Sequence, residues 1–310
     1  MRNKDYFRGH IWWRNGLTWI LMISVIIFCA GTTAFAKVYL KVGLMDEPRT
    51  LNPFQASDRW SKKVLLPIYQ NLYKRDPDTL KLIPWIAEDQ PIYDPQKKTV
   101  TFHLRSMQWD DGTEFGAEDV VFTAEVFKRF RIPRYYRYWK FVEKIEALDK
   151  KTVQLTLQKP MAVLYSRTLP TWVVQKRKWE PLISKAGRIL KDALMKEKAK
   201  GNKGKKAIRA ALRQPLKMIQ THIVKKPVGL GPFKFSQWKK GSFIHLVKND
   251  RFFGNGKIIE GRKLGPFIDG IIFKIYGTTD AAIMALKKGD IDFFWWGTSA
   301  GYVKDLTQDP

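Results

Sequence analysis

Towards the end of the chain, two apolar runs with strand character bracket one short helix. Ile271–Tyr276 reads as a buried strand. Asp280–Lys288 reads as a helix, with Asp280 near its start and Gly289 as its stop, and Asp290–Phe294 opens a second strand. Strand, helix and strand at this spacing make a βαβ unit, so part of the sheet must be parallel. The expected fold class is therefore α/β, in the mixed α+β sense. Other strands are expected from two-residue alternation at Val38–Leu44, Thr99–Leu104 and Thr152–Leu157, with a turn at Asp149–Lys151. Helices are expected over Ala117–Phe130 and over a short segment carrying Val64 and Leu65, capped by Ser57 and stopped near Pro67.

The first 36 residues follow a different logic. Arg2, Lys4, Arg8 and Arg14 face one acid, Asp5; Leu17–Ala30 is almost wholly apolar; and Ala34-Phe35-Ala36 places small residues where signal peptidase cuts. Residues 1–36 are thus expected to be a cleaved secretory signal. Fourteen apolar residues fall short of the roughly 20 a spanning helix needs. A lipoprotein anchor at Cys29 would want a small residue before it, where Phe28 stands. Loss of Cys29 with the signal would leave a chain without cysteine, which suits an oxidising bacterial periplasm. With one Cys and four scattered His in 310 residues, neither a disulfide framework nor a thiolate or imidazole metal cluster is expected.

The formal net charge is +27, and its distribution decides what it means. Residues 176–226 carry seventeen Lys and Arg against three acids, a net +14. Ile183, Ala186, Ile189, Leu190, Ala193 and Leu194 mark one helical face there, Lys200–Gly204 breaks it, and Ile208, Ala211 and Leu212 begin a second helix that Pro215 interrupts or bends. About half of the charge thus belongs to one basic helix–break–helix. It reads as a solvated insert, and the alternative is a surface for envelope lipid or another polyanion. The rest of the chain is only moderately basic, and no nucleic-acid partner is expected.

Three segments carry a family resemblance. The first is Ile68-Tyr69-Gln70-Asn71-Leu72-Tyr73 followed by Leu80-Lys81-Leu82-Ile83-Pro84-Trp85-Ile86-Ala87-Glu88. The second is Trp109-Asp110-Asp111-Gly112 leading to Asp119-Val120-Val121-Phe122-Thr123. The third runs from Val228-Gly229-Leu230-Gly231-Pro232-Phe233 to Ala281–Asp292. In order and spacing they resemble the family 5 extracellular solute-binding proteins, the oligopeptide, dipeptide and nickel receptors of ABC importers. The resemblance implies a type II periplasmic-binding-protein-like fold, with two lobes that close on a ligand and a small domain inserted in the first. It maps the first lobe to 37–67 and 163–294, the inserted domain to 68–162, and the hinge and start of a second lobe to 295–310. Family members are generally longer, so the chain is expected to be truncated, with most of the second lobe missing. The resemblance further implies a peptide or other small solute as ligand, an ABC permease of the inner membrane as partner, no enzymatic activity, no cofactor and a monomer.

The residues themselves offer little catalysis. Asp110, Asp111, Glu114, Glu118 and Asp119 read as a turn and a helix start rather than an acid/base pair or cation loop. Asp290 and Asp292 read as a strand end, and His103 as a solvated strand position. No nucleophile elbow and no zinc-protease motif occurs. The first ligand candidates are Asp46, Glu47, Thr50 and Leu51, in the loop after the first strand, where open α/β sheets bind ligands; a solvent loop is the alternative. Trp295 and Trp296 could line a wall for varied side chains, with core packing as the alternative.

Overall fold

The computed structural model describes residues 36–308. Cys29, Ala34 and the rest of the expected signal up to residue 35 lie outside the described residues. From Val38 onward the chain runs through β1 (Tyr39–Leu44), α1 (Arg59–Leu65), β2 (Tyr73–Arg75), β3 (Leu82–Pro84), β4 (Ile92–Asp94), β5 (Thr99–His103), α2 (Ala117–Arg129), α3 (Pro133–Trp139), β6 (Val142–Ala147) and β7 (Thr152–Leu157). A single π-helical turn, Leu164–Thr168, precedes α4 (Lys176–Ala199) and α5 (Gly204–Thr221). Then come β8 (Phe233–Lys239), β9 (Phe243–Lys248), β10 (Ile258–Ile259), β11 (Arg262–Lys263), β12 (Gly270–Ile275), α6 (Thr279–Lys287), β13 (Phe293–Phe294) and α7 (Ala300–Thr307).

Two sheets organise the molecule. The five-stranded sheet has the order β13-β1-β12-β9-β8. β1 runs parallel to both β12 and β13, and β12–β9–β8 is antiparallel. The βαβ unit is present as expected, with β1 lying between its two strands. That central place explains why Val42, Gly43 and Leu44 are all buried, where two-residue alternation suggested one covered face. The second layer is a small cluster of Ala282, Ile283, Ala285, Ile291 and Phe294. A Cβ on Gly43 would lie 2.7 Å from Ile291 Cδ1, so only glycine lets that layer approach the strand.

The four-stranded sheet β4-β5-β7-β6 is antiparallel. Its β6–β7 turn is held by Asp149 Oδ1, which accepts from the backbone N of Lys151 (2.7 Å) and Thr152 (2.9 Å). One continuous apolar core joins residues of both sheets, with Tyr69, Tyr73, Phe102, Trp109, Phe127 and Trp139 essentially excluded from solvent.

Two local expectations are corrected. The cap of α1 is Asp58, whose Oδ1 accepts from Ser61 N at 2.8 Å, and not Ser57, which is exposed. A carboxylate placed three residues before that N–H outcompetes the neighbouring hydroxyl. Pro215 does not interrupt its helix: α5 runs through it, and the ring is buried. The basic helices turn Trp179, Ile183, Ala186, Gly187 and Leu190 of α4, and Ala207, Ala211, Leu212 and Ile219 of α5, inward. They pack against each other along the hairpin and keep their Lys and Arg outward.

Candidate functional site

Because β1, β12 and β13 are parallel, the loops that follow them leave by one edge of the sheet, the carboxyl edge where open α/β folds take ligands. Both sequence candidates lie there. In the first loop, Asp46 is exposed and its Oδ1 accepts from Glu47 N at 2.7 Å. Glu47 is engaged in the scaffold: its Oε1 accepts from Trp238 Nε1 (2.7 Å) and Gly241 N (3.0 Å), which ties the loop to the β8–β9 turn. Thr50 N donates to Ser61 Oγ (3.1 Å) on α1, and Leu51 is buried. Leu51 also lies at the base of an open groove of about 770 Å³ walled by His222, Phe235 and Trp238.

After β13, Trp295 and Trp296 meet α1. Trp296 packs 5.2 Å from the Trp60 ring, with the Arg59 guanidinium 4.5 Å above it. Lys63 Nζ lies 4.3 Å above the Trp295 ring and donates to Trp295 O. Helix α1 is thus the common support: Ser61 holds the Thr50 end, and Trp60 and Lys63 hold the tryptophans.

Behind α1 the structure opens two adjoining depressions of about 310 and 630 Å³. They share Leu66, Asn71, Arg134, Tyr135, Pro170 and Thr171, and form one trough between α1, β2, α3 and the π-helical turn. Sequence reasoning missed this trough, because its walls come from four separate segments with no common period. The one local signal was the basic–aromatic run Arg134-Tyr135-Tyr136-Arg137-Tyr138. Among the described residues no Asp or Glu lines either depression. Burial, and then the nearby Arg59, pull the Lys63 amine down to about 8; burial pulls Lys74, 3.7 Å over the Trp85 ring, down to about 7. Lys62 is lowered by burial and then by Arg134, against a smaller raising effect of Asp58. The solvent-inaccessible Oδ1 of Asn71, on the trough wall, has no hydrogen-bond donor among the described residues.

The carboxylates of the Trp109–Asp119 stretch serve the scaffold. Asp110 Oδ2 accepts from Gly229 N (3.0 Å) while Asp110 N donates to Gly229 O (3.0 Å). Burial pushes this carboxyl up to about 6. Asp119 accepts from Gly116 N (3.2 Å) and Trp109 Nε1 (3.2 Å) through Oδ2, and from Lys176 N (2.7 Å) through Oδ1, so one carboxylate joins the starts of α2 and α4. Gly112 has φ +87°, as its turn requires. His103 is exposed on β5 and hydrogen-bonds Asp89, which raises its pKa. Among the described residues there is no group of three His, Cys, Asp or Glu able to hold a metal, and no helix long and apolar enough to cross a membrane.

The model for bacterial extracellular solute-binding proteins, family 5 (middle), matches residues 81–310, and the chain belongs to that family. It is 29% identical over 269 residues to the oligopeptide-binding protein AppA of Bacillus subtilis (strain 168), covering 82% of this chain and 40% of that protein. It is 26% identical over 281 residues to the probable D,D-dipeptide-binding periplasmic protein DdpA of Escherichia coli (strain K12), covering 89% and 46%. The solved structure of AppA with a nonapeptide has a TM-score of 0.65 at 24% identity, over 87% of this chain and 46% of that one. NikZ of Campylobacter jejuni with Ni(L-His) has a TM-score of 0.60 at 21% identity, over 83% and 43%. At these identities the structural likeness establishes the fold, which is the mixed α/β binding-protein fold expected. The chain spans less than half the length of each of these relatives.

Proposed function

We propose that this chain captures a solute for an ABC importer, with a peptide as the leading ligand, and works with a permease of the inner membrane. Family membership carries this reading. The convergence of three loops on the carboxyl edge of one sheet, beside a trough within the 300–1,000 Å³ usual for ligand pockets, supports it. On this reading the Asp46–Leu51 loop and the Trp295–Trp296 pair frame the ligand, Glu47 by holding the loop and the tryptophans by contact. The four-stranded sheet belongs to the small inserted domain, 68–162, and residues 37–67 and 163–294 form the lobe that carries it. The chain is exported to the periplasm as a monomer, and the leader is removed after Ala36.

Titration of the whole chain with peptides of two to nine residues and with a nickel–histidine chelate, followed by tryptophan emission and Tm, tests the reading. A saturable emission change, lost in Trp295→Phe/Trp296→Phe, is expected together with a rise in Tm. Absence of any saturable response across the set would sink it.

A further inference from the structure

The trough has a charge balance that its apolar chemistry does not explain. Lys62, Lys63, Lys74, Arg134, Arg137 and Arg167 all line it, and among the described residues none of the six forms an ion pair with a carboxylate. Arg75 joins them at the rim, where it donates to Leu80 O (2.8 Å). A few cations elsewhere are paired, among them Arg262 with Asp76 and Asp78, Lys176 with Glu118 and Lys287 with Asp305, while many others stand on open surface; what sets the trough apart is that its cations gather in one concave place with no acid among the described residues lining it. Lys62, Lys63 and Lys74 are partly desolvated there, while Arg134, Arg137 and Arg167 are exposed. Like charges gathered in one concave place repel one another, and a bound anion offsets that repulsion.

The ring faces fix the rest of the ligand's character. Arg134 stacks over Tyr135 (5.4 Å) and Trp172 (5.3 Å), and Arg137 over Tyr138 (4.6 Å). These ring contacts limit the freedom of the guanidiniums, whose paired N–H donors suit two-pronged recognition of a carboxylate. Tyr135 and Trp172, both buried, offer an apolar floor between the charges.

Resting on the capture reading above, we infer that the solute this trough takes is an anionic one: a short acidic peptide whose carboxylates sit on Lys62, Arg134, Arg137 and Arg167 and whose apolar side chains lie on the Tyr135–Trp172 floor.

The test uses the whole chain and three matched tetrapeptides, Glu-Leu-Glu-Phe and its counterparts with Gln or Lys in place of Glu, titrated by calorimetry at 150 mM salt. Two variants, Arg137→Gln and Arg167→Gln, change exposed side chains; thermal unfolding confirms that they fold. The acidic peptide is expected to bind at least tenfold more tightly than the Gln peptide, and the Lys peptide more weakly still. Each variant is expected to cut the acidic peptide's affinity about three- to tenfold while leaving that of the Gln peptide unchanged. If Gln and Glu peptides bind alike, the anionic specificity is overturned and solute capture stands. If the acidic preference persists undiminished in both variants, it comes from the general positive charge of the chain, and the trough assignment is overturned. If none of the three tetrapeptides binds, this inference is overturned, and the wider peptide and chelate titration decides the capture reading by itself.

Discussion

At the scale of residues, the pairing of Asp110 with Gly229 makes the sharpest prediction. Its carboxyl titrates near 6 in the folded chain against 3.8 for the free group. The folded state therefore holds this proton more tightly than the unfolded one. The stability it contributes is fully present below about pH 3.8 and is lost as pH rises through 6. Asp110→Asn keeps an acceptor for Gly229 N and removes the charge. We expect it to be more stable than the wild type by about 1–2 kcal/mol at pH 7.5, and the difference to shrink towards zero by about pH 3, as read by urea unfolding at both values. Close approach governs the other side of this contact. A Cβ on Gly229 would lie 2.1 Å from Ile68 O, and one on Gly231 2.0 Å from Pro67 O. Gly231→Ala should cost about 3 kcal/mol or more by the same measurement. The sequence marks these glycines only as part of a family motif, and the reason they cannot carry a side chain is the backbone of Pro67–Ile68, more than 160 residues away. Long-range pressure of this kind leaves no local trace. Nor does the convergence of Lys62, Arg134 and Arg167, which come from three different segments.

At the scale of elements, α4 and α5 separate two properties that coincide in sequence. Their Lys and Arg form the solvated face expected, and the apolar stripe facing the core anchors the pair to the rest of the chain. Ile183→Ala or Leu190→Ala should lower stability by about 2–4 kcal/mol, whereas Lys198→Glu on the exposed face should stay within about 0.5 kcal/mol. Thermal unfolding of the three variants distinguishes the faces. Periodicity revealed the helices because both bury one stripe, and it revealed β5 and β7 because they alternate. It misjudged β1, where neighbours on both sides and a layer on each face override alternation. The α1 cap was missed because Ser57 and Asp58 are adjacent and only geometry chooses between them.

At the scale of the whole molecule, the net charge of +27 has two seats of different kinds: the solvated outer faces of α4 and α5, and the unpaired trough behind α1. Salt separates them. Monovalent salt should screen the exposed helices with little change in Tm, while a multivalent carboxylate such as citrate, which can bridge the trough cations, should raise Tm by several degrees at millimolar concentration. The fold class was legible because a βαβ unit and three long motifs agree with one another. The trough was not, because it exists only where four segments meet.

The position of β1 has a consequence for how this chain comes into being. Tyr39 pairs with Gly270 and Val42 with Phe293, so β1 has no neighbour in the sheet until more than 230 further residues have followed it. A nascent chain of 200 residues can close the β4–β7 hairpins and the α4 segment, yet its first strand stays solvent-facing and the central sheet cannot form. Completion of the central sheet is thereby delayed until Gly270–Ile275 and Phe293–Phe294 have been made. Such a long-waiting apolar strand is also a place for a chaperone to hold.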